Sequence, residues 1–347
     1  MKSQSYLNVL ITGVILMGLL YIGKKLLIPF VLAVFIWYLI NVLTEVYKKI
    51  PLGKFKLPAS VSFILSIISI FVVITVLIQL ITDNISDVVK LAPEYQKNLM
   101  KVFGQIFNLL HLEEPITFRQ IMGNLKIGAI LSQFAKALTG MMGNAGIIFI
   151  YLIFLFLEQK SISNKLNVFV ASSEKGKDIF DIIRKIDSDT RLYIGIKTIT
   201  SATTAILSYI LLSAVGLDFA EFWAIMIFVF NYIPTVGSIV ATIFPAVLAL
   251  VQFPYFYPFF IITGGLVTVQ FLIGSVLEPR LMGNKLNLSP LAILLSLTLW
   301  GSLWGVAGMI LCVPIMVIAM IVLSHFPKTL PIAMLLSRDG KISQLKK

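Results

Sequence analysis

A charged residue and three hydroxyl side chains share one face of a predicted membrane-spanning helix. Lys197, Ser201, Thr204 and Ser208 follow one another at intervals of four, three and four residues. At about 100° per residue they fall within about 60° of one another. A charge at the bilayer centre costs about 2.5–3.5 kcal/mol on insertion scales, so a retained lysine usually faces protein or water. The pattern predicts a water-facing polar stripe. The alternative is that the hydroxyl groups bond to their own helix and Lys197 extends to the interface.

A second polar site is predicted at "NYIPTVGS", residues 231–238. Pro234 has no N–H and disrupts a helix, which frees backbone carbonyl groups, and Gly237 follows it closely. Non-helical backbone at membrane depth is tolerated only inside protein or along a watery cavity. Asn231, Tyr232 and the freed carbonyl groups are therefore predicted to line a path for a polar solute.

A third cluster, "LEPRLMGNKLNLSP" at 277–290, lies between two uncharged runs. Glu278 and Arg280 flank Pro279, so their side chains are expected to lie close together. Such a pair at a partly wet interface would stabilise the fold by only about 0–1 kcal/mol. This suggests a use beyond stability, such as holding an inner gate or meeting a polar solute. Arg280 could bind an oxygen-rich solute through two parallel hydrogen bonds.

Glycines interrupt the last apolar region, residues 289–324, at Gly301, Gly305 and Gly308. Gly301 and Gly305 form a G-x-x-x-G pattern, which more often marks close helix packing than a binding site. Here the pattern coincides with the middle of an apolar region that is too long for one simple crossing. A tight turn at the tip of a hairpin is the other interpretation.

The composition requires these elements to lie in a membrane. The chain has 347 residues, 58% hydrophobic and 13% charged, with a mean hydropathy of +0.97, whereas soluble domains are about 45–50% apolar and about 25% charged. Cys312 is the only cysteine, which excludes a disulfide framework and a thiolate metal site. His111 and His325 are too few and too far apart for a metal cluster. The sequence predicts an all-α polytopic membrane protein with no cofactor and no metal.

Apolar runs predict about six full spans and two broken regions, each span long enough for a bilayer of about 30 Å. The broken regions are 220–252 and 289–324. Two interpretations compete for each: one long kinked span, or a re-entrant hairpin of two shorter arms. The full spans are predicted at 5–23, 26–44, 59–82, 140–158, 192–215 and 256–277.

Basic residues favour the hairpins. With the N-terminus in the cytoplasm, the lysine-rich loop 45–58 and the basic segment 159–193 lie inside. If both broken regions are hairpins that return to the side that they entered from, Arg280, Lys285 and the basic C-terminal tail also lie inside. If both are single crossings, Arg280 and Lys285 lie outside instead, so the positive-inside rule favours two hairpins. The predicted organisation is: three transmembrane helices in 1–82, an amphipathic extracytoplasmic helical segment in 83–139, a transmembrane helix in 140–158, a cytoplasmic interfacial segment in 159–190, a transport core in 191–324 and a cytoplasmic basic tail in 325–347.

Other classes of function lack their signatures. The net charge of +12 collects beside the apolar runs, as orientation in a membrane requires, so nucleic acid is not a predicted partner. The sequence has no phosphate-binding G-x-x-x-x-G-K-[ST], no G-x-S-x-G and no H-E-x-x-H motif. An enzyme and an ATP-driven pump are therefore not predicted. A membrane scaffold or receptor without transport is disfavoured by the polar stripe and the broken helices.

At these residues the sequence resembles the AI-2E (autoinducer-2 exporter) family of transporters. The matching stretches are "YIGIKTITS" (193–201), "VGLDFAEFWAIMIFVFNYIPTVGSIVATIFP" (215–245), "LEPRLMGNKLNLSP" (277–290) and "LSLTLWGSLWGVAGMILCVPI" (295–315). The resemblance implies a secondary transporter in the cytoplasmic (inner) membrane of a prokaryote. Its expected partners are membrane lipid and a small polar solute such as autoinducer-2, and a homo-oligomer is compatible with it.

The resemblance leaves a second function open, since some members are proposed sodium/proton antiporters. Many members carry an acidic residue and an asparagine shortly after the glutamine that matches Gln270. Ile273 and Ser275 stand there instead. Proton-coupled exchange needs an ionisable group along the path, and only Glu278 remains nearby. The sequence therefore favours export of a polar solute, with sodium or proton exchange as the alternative.

Overall fold

The computed structural model describes residues 2–52, 55–109, 143–172, 176–253, 255–283 and 287–340. Nearly all of them are helical, and two-residue strands β1 (Pro51–Leu52) and β2 (Phe55–Lys56) pair antiparallel. The helices are α1 (Lys2–Ile22), α2 (Lys24–Lys49), α3 (Ala59–Leu109), α4 (Ala145–Ser172), α5 (Gly176–Val215), α6 (Ala220–Phe230), α7 (Val236–Gln252), α8 (Tyr257–Gln270), a π-helix (Phe271–Leu277), α9 (Glu278–Met282), α10 (Pro290–His325) and α11 (Leu330–Leu336).

Five helical stretches in the described residues are long and apolar enough to cross a membrane: Lys24–Lys49, Ala59–Leu80, Asp178–Val215, Tyr257–Met282 and Pro290–His325. Shorter apolar stretches, of 10–17 residues, occur at Ile11–Ile22, Ala145–Gln159, Ala220–Phe230 and Val236–Gln252. Many large apolar side chains on these helices are exposed on the protein, as expected where lipid covers them. The predicted all-α polytopic membrane fold is confirmed.

Two segments that the sequence set apart from the spans are continuations of span helices. α4 runs on to Ser172 and α5 begins at Gly176, so most of the predicted interfacial segment 159–190 belongs to the ends of two long helices. The predicted extracytoplasmic segment 83–139 likewise begins within α3, a helix of 51 residues. Both stretches stay helical beyond the apolar spans, and α3 continues through Pro93. Residues 110–142, with His111, lie outside the described residues.

The first broken region is a hairpin, which we call hairpin 1 (residues 220–252, α6 and α7). The ring of Trp223 stacks on that of Phe244, with centroids 5.9 Å apart. In a straight helix these two residues would be about 31 Å apart. The Gln252 side chain accepts a hydrogen bond from the backbone N–H of Asp218 at 2.8 Å, which joins the far end of α7 to the residues just before α6.

The second broken region is also a hairpin, hairpin 2 (residues 290–325, α10). Gly305 interrupts α10 with φ 63° and ψ −140°, a conformation that glycine adopts at little cost. The Ser296 hydroxyl donates to the carbonyl of Cys312 at 3.0 Å, although a straight helix would separate these residues by about 24 Å. The chain therefore turns back on itself at Gly305. The kinked-span interpretation is wrong for both regions.

The chain divides into two compact units, and hairpin 2 belongs to unit 1. Within that unit the ring of Phe30 on α2 packs edge-on against Tyr151 on α4, with centroids 5.4 Å apart. At the turn of hairpin 2, the Trp304 indole N–H donates to the carbonyl of Leu20 at 3.1 Å, near the end of α1. Unit 1 comprises residues 1–67, 140–194 and 284–347.

Unit 2 contains hairpin 1, the second half of α5 and the helices α8 and α9. Its buried side chains include Phe222 and Ile227 on α6, Leu212 on α5 and Ile262 on α8. All the candidate site residues except the three glycines of hairpin 2 lie in this unit, which comprises residues 68–139 and 195–283.

Candidate functional site

Two contacts fix how α5 and α8 align in unit 2. A Cβ added at Gly265 would meet the side chain of Leu211, and Lys197 contacts Glu278. The residue number on α5 falls from 211 to 197 while the number of its contact rises from 265 to 278. The two helices therefore run antiparallel. Lys197 lies about 27 Å along its helix from Val215, close to one bilayer thickness.

Lys197 and Glu278 form an ion pair that is mostly enclosed by protein. The Lys197 Nζ lies 2.8 Å from both Glu278 Oε1 and Oε2, and the side chains are 13% and 18% exposed. The Thr200 hydroxyl lies 3.4 Å from Glu278 Oε2 and 3.1 Å from the carbonyl of Lys197. Charge-assisted bonds of this kind are among the strongest in proteins. Lys197 is therefore held in place by a carboxylate and is not simply extended to the interface.

The expected partnership of Glu278 with Arg280 is wrong. Glu278–Met282 is α-helical, and residues two apart on a helix point to different faces. Glu278 therefore points toward Lys197 while Arg280 is exposed. No ion pair joins Glu278 to Arg280 in the structure. Pro279, between them, is exposed and lies in the first turn of the short helix α9. Lys285, in the same predicted cluster, lies outside the described residues.

The tip of hairpin 1 is bonded to both neighbouring helices in unit 2. The Gln270 Nε2 on α8 donates to Asn231 Oδ1 at 3.2 Å, and the Tyr232 hydroxyl donates to Thr198 Oγ1 at 2.8 Å. Asn231 and Tyr232 are buried. Thr198 directly follows Lys197, so the ion pair and the Tyr232 bond attach to α5 at neighbouring positions. We call the residues of these contacts the polar layer (Lys197, Thr198, Thr200, Asn231, Tyr232, Gln270 and Glu278); Thr200, Asn231 and Tyr232 are buried and the other four are half-buried.

Pro234 and Gly237 shape the tip and contribute no polar side chain to the layer. Pro234 lies in the turn between α6 and α7, where its missing N–H does not break a helical ladder. Gly237 is required because a Cβ there would collide with the carbonyl of Phe230. Thr235 has φ 59° and ψ −59°, a conformation that is unfavourable for a β-branched residue. Such strain is found most often where the surrounding structure holds a functional turn in place.

The stripe on α5 is buried within unit 2 and does not face water. Thr204 bonds to the carbonyl of Thr200 on its own helix at 2.9 Å, as the alternative interpretation expected for hydroxyl groups. Ser201 and Ser208 are 1% and 0% exposed. Their hydroxyl oxygens have no hydrogen-bond partner among the described residues. Buried polar atoms are nearly always bonded, so each exception calls for an explanation.

The three glycines of hairpin 2 have structural roles. Gly305 makes the turn. At Gly308 a Cβ would collide with the carbonyl of Trp300, and at Gly301 it would press against Met309 at 3.1 Å. The two arms of hairpin 2 therefore approach each other through small residues, as the G-x-x-x-G pattern suggested. These glycines offer no hydrogen-bonding side chain, which agrees with the packing and turn interpretations.

Sequence reasoning missed Thr198, Thr200 and the partner of Lys197. The stripe was defined by a single helix face, and Thr198 lies one residue from Lys197, outside that face. The only signal available was that Lys197 and Glu278 are isolated charges in two apolar spans, and such charges usually pair. In the described part of the chain, no group of three or more His, Cys, Asp or Glu residues is placed to hold a metal ion.

Comparison with known proteins agrees with this architecture. Residues 10–328 match the model of a family described as "AI-2E family transporter". The AI-2 transport protein TqsA of Escherichia coli is 29% identical over 341 residues, covering 94% of this chain and 96% of that protein. A putative transport protein of Haemophilus influenzae is 27% identical over 332 residues, covering 93% of each chain. Another from Borreliella burgdorferi is 29% identical over 247 residues, covering 70% of this chain and 67% of that protein.

Proposed function

Because the chain belongs to the AI-2E family of membrane transporters, we propose that it exports a small polar organic solute such as autoinducer-2. The proposed location is the cytoplasmic (inner) membrane, and the proposed mode is secondary transport. The solute class is supported by the name of the Escherichia coli relative, an AI-2 transport protein. The polar layer supports it independently.

The observation that carries the proposal is the unused hydrogen-bonding capacity of the polar layer and of the neighbouring Ser201. Among the described residues, Lys197 donates two bonds to Glu278 and has a third N–H. The Asn231 NH₂ group and the Gln270 carbonyl oxygen are unused in the bond that joins them. The Ser201 hydroxyl, one helical turn from Lys197, has no partner in the part of the chain that the structure describes. The site thus offers both donors and acceptors.

The charge of the layer indicates what kind of solute fits. Lys197 and Glu278 neutralise each other, and the other members of the layer are uncharged. A bare cation or anion would leave its charge without a counter-charge in a site that is mostly enclosed by protein, which is costly. A neutral solute with several hydroxyl groups can both donate and accept here. This also argues against sodium/proton exchange, since Glu278, the one acidic group in the layer, is bonded by an ammonium group.

The proposal is tested with the full chain in proteoliposomes, using autoinducer-2 as the probe. The initial rate of autoinducer-2 flux is compared for wild type, Asn231→Leu and Asn41→Leu. Asn41 is a matched control, because among the described residues its amide donates only to the carbonyl of Trp37 on its own helix. We expect Asn231→Leu to lower the flux several-fold and Asn41→Leu to leave it unchanged.

Two results would overturn the proposal. One is autoinducer-2 flux no greater than in protein-free vesicles. The other is an equal fall in flux for both asparagine variants. A parallel measurement of proton movement on sodium addition separates the alternative function: sodium-dependent proton movement without autoinducer-2 flux would indicate an antiporter.

We also propose that the N-terminus and the residues 278–288 face the cytoplasm, as the positive-inside rule favours. Single cysteines placed at 159–172 and 278–283, in a Cys312→Ser background, should resist a membrane-impermeant thiol reagent added outside intact cells. Cysteines placed at 95–109 should react. Labelling of 278–283 from outside would exclude this orientation.

A further inference from the structure

Seven residues before Glu278 form a π-helix, Phe271–Leu277, between α8 and α9. The N–H of Glu278 bonds to the carbonyl of Ile273, five residues earlier. Beyond this point the bonding returns to the α pattern, since the N–H of Gly283 bonds to the carbonyl of Pro279, four residues earlier. π-helical turns are rare and occur frequently at functional sites.

Pro279 gives a physical reason for the change of pattern. A proline has no N–H to donate, and in a continuous α-helix its ring clashes with the carbonyl four residues earlier, here that of Ser275. The wider π turn relieves that clash, and Pro279 itself is acceptable in the first turn of α9. Gly274 lies in the same segment, and nothing lies within 4 Å of a Cβ added there.

The π-helix determines which residue faces Lys197. A π turn holds about one residue more than an α turn, so these seven residues advance the helix about as far as six α-helical residues would. If the segment became α-helical, Glu278 would rotate by about 100°. The apolar Leu277 would then take its place opposite Lys197. The ion pair therefore exists only with the π form.

We infer that Pro279 is a positioning residue: it holds Phe271–Leu277 in the π form, and this form aims the Glu278 carboxylate at Lys197. The role goes beyond the proposed export of a polar solute and does not depend on which solute is carried. The positioning role of Pro279 can be tested on the Lys197–Glu278 ion pair without measuring transport. A negative result for this role is therefore distinguishable from a negative result for the proposed export.

The test measures the loss of thermal stability caused by Lys197→Met in different backgrounds of the full chain in detergent. In wild type, Lys197→Met should lower the Tm because it leaves Glu278 without its partner. In Pro279→Ala it should lower the Tm no further, because the pair is already broken. In Gly274→Ala, the matched control that keeps Pro279, the loss should be the same as in wild type.

A one-residue deletion supplies the rescue. Deleting Gly274 in the Pro279→Ala background removes the surplus residue, so a regular α-helix returns Glu278 to Lys197. The Tm loss on Lys197→Met should then reappear, and the solute flux lost in Pro279→Ala should recover. A merely structural proline would not be rescued by shortening the helix.

An equal Tm loss from Lys197→Met in wild type and in Pro279→Ala would overturn the inference. If Pro279→Ala is not recovered folded, the deletion variant decides alone. Its recovery with a Lys197-dependent Tm supports the inference, and its failure to fold, or a Tm that is indifferent to Lys197, overturns it.

Discussion

Removing the ammonium group of Lys197 while Glu278 remains should destabilise the protein more than the loss of an ordinary ion pair would. Breaking a fully buried pair costs about 3–5 kcal/mol, and an exposed pair contributes about 0–1 kcal/mol. The Lys197 and Glu278 side chains are 13% and 18% exposed, between these limits but closer to the buried one. We therefore expect Lys197→Met to lower the free energy of unfolding by about 2–3 kcal/mol.

Two comparisons separate the ion pair from other effects of the substitution. The double variant Lys197→Met with Glu278→Met removes both charges, and such replacements of enclosed pairs are often neutral or stabilising. The Lys48–Glu45 pair has the same 2.8 Å separation but exposures of 36% and 53%, so Lys48→Met should cost only about 0–1 kcal/mol.

The free energy of unfolding is measured by SDS titration in mixed micelles, and autoinducer-2 flux is measured on the same preparations, normalised to folded protein. Lys197→Met should lose stability, while the double variant should recover stability but not flux. If the single and double variants lose equal stability, the loss comes from repacking around the methionine side chain introduced on α5. That result would refute the reasoning that the unpaired Glu278 carboxylate causes the loss.

Three further outcomes follow from the structure. Tyr232→Phe removes the bond to Thr198 and should cost about 1 kcal/mol and lower flux; a double-mutant cycle with Thr198→Val that shows no coupling between the two sites would contradict this. Gly308→Ala should sharply reduce folded protein, judged by monodisperse yield, because its Cβ would collide with the carbonyl of Trp300. Gly264→Ala, where nothing lies within 4 Å, is its control, and an equal yield for both would count against the packed hairpin. Arg280→Gln should leave the unfolding free energy within about 0.5 kcal/mol and the flux unchanged, and a several-fold loss of flux would restore Arg280 to the solute path.

The sequence by itself determined the fold class and the places where helices break. Long uncharged runs can be stable only as membrane-spanning helices, because lipid offers no partners for backbone polar groups. Pro234 has no N–H for a helical hydrogen bond and Gly305 reaches a positive φ at little cost, so each marks a place where a helix breaks easily. The composition and these local rules therefore sufficed to predict an all-α membrane protein with two broken regions.

Only the tertiary structure decided which distant residues meet. Glu278 is two residues from Arg280 in the chain but bonds to Lys197, because the helical rotation and the π-helix before Glu278 turn its side chain toward α5. Asn231 and Gln270 meet for the same kind of reason, the packing of hairpin 1 against α8 in unit 2. Local propensity determines which secondary structure a segment forms. The direction in which a side chain points depends on the helix phase and on tertiary packing, which cannot be read from the spacing of residues along the chain.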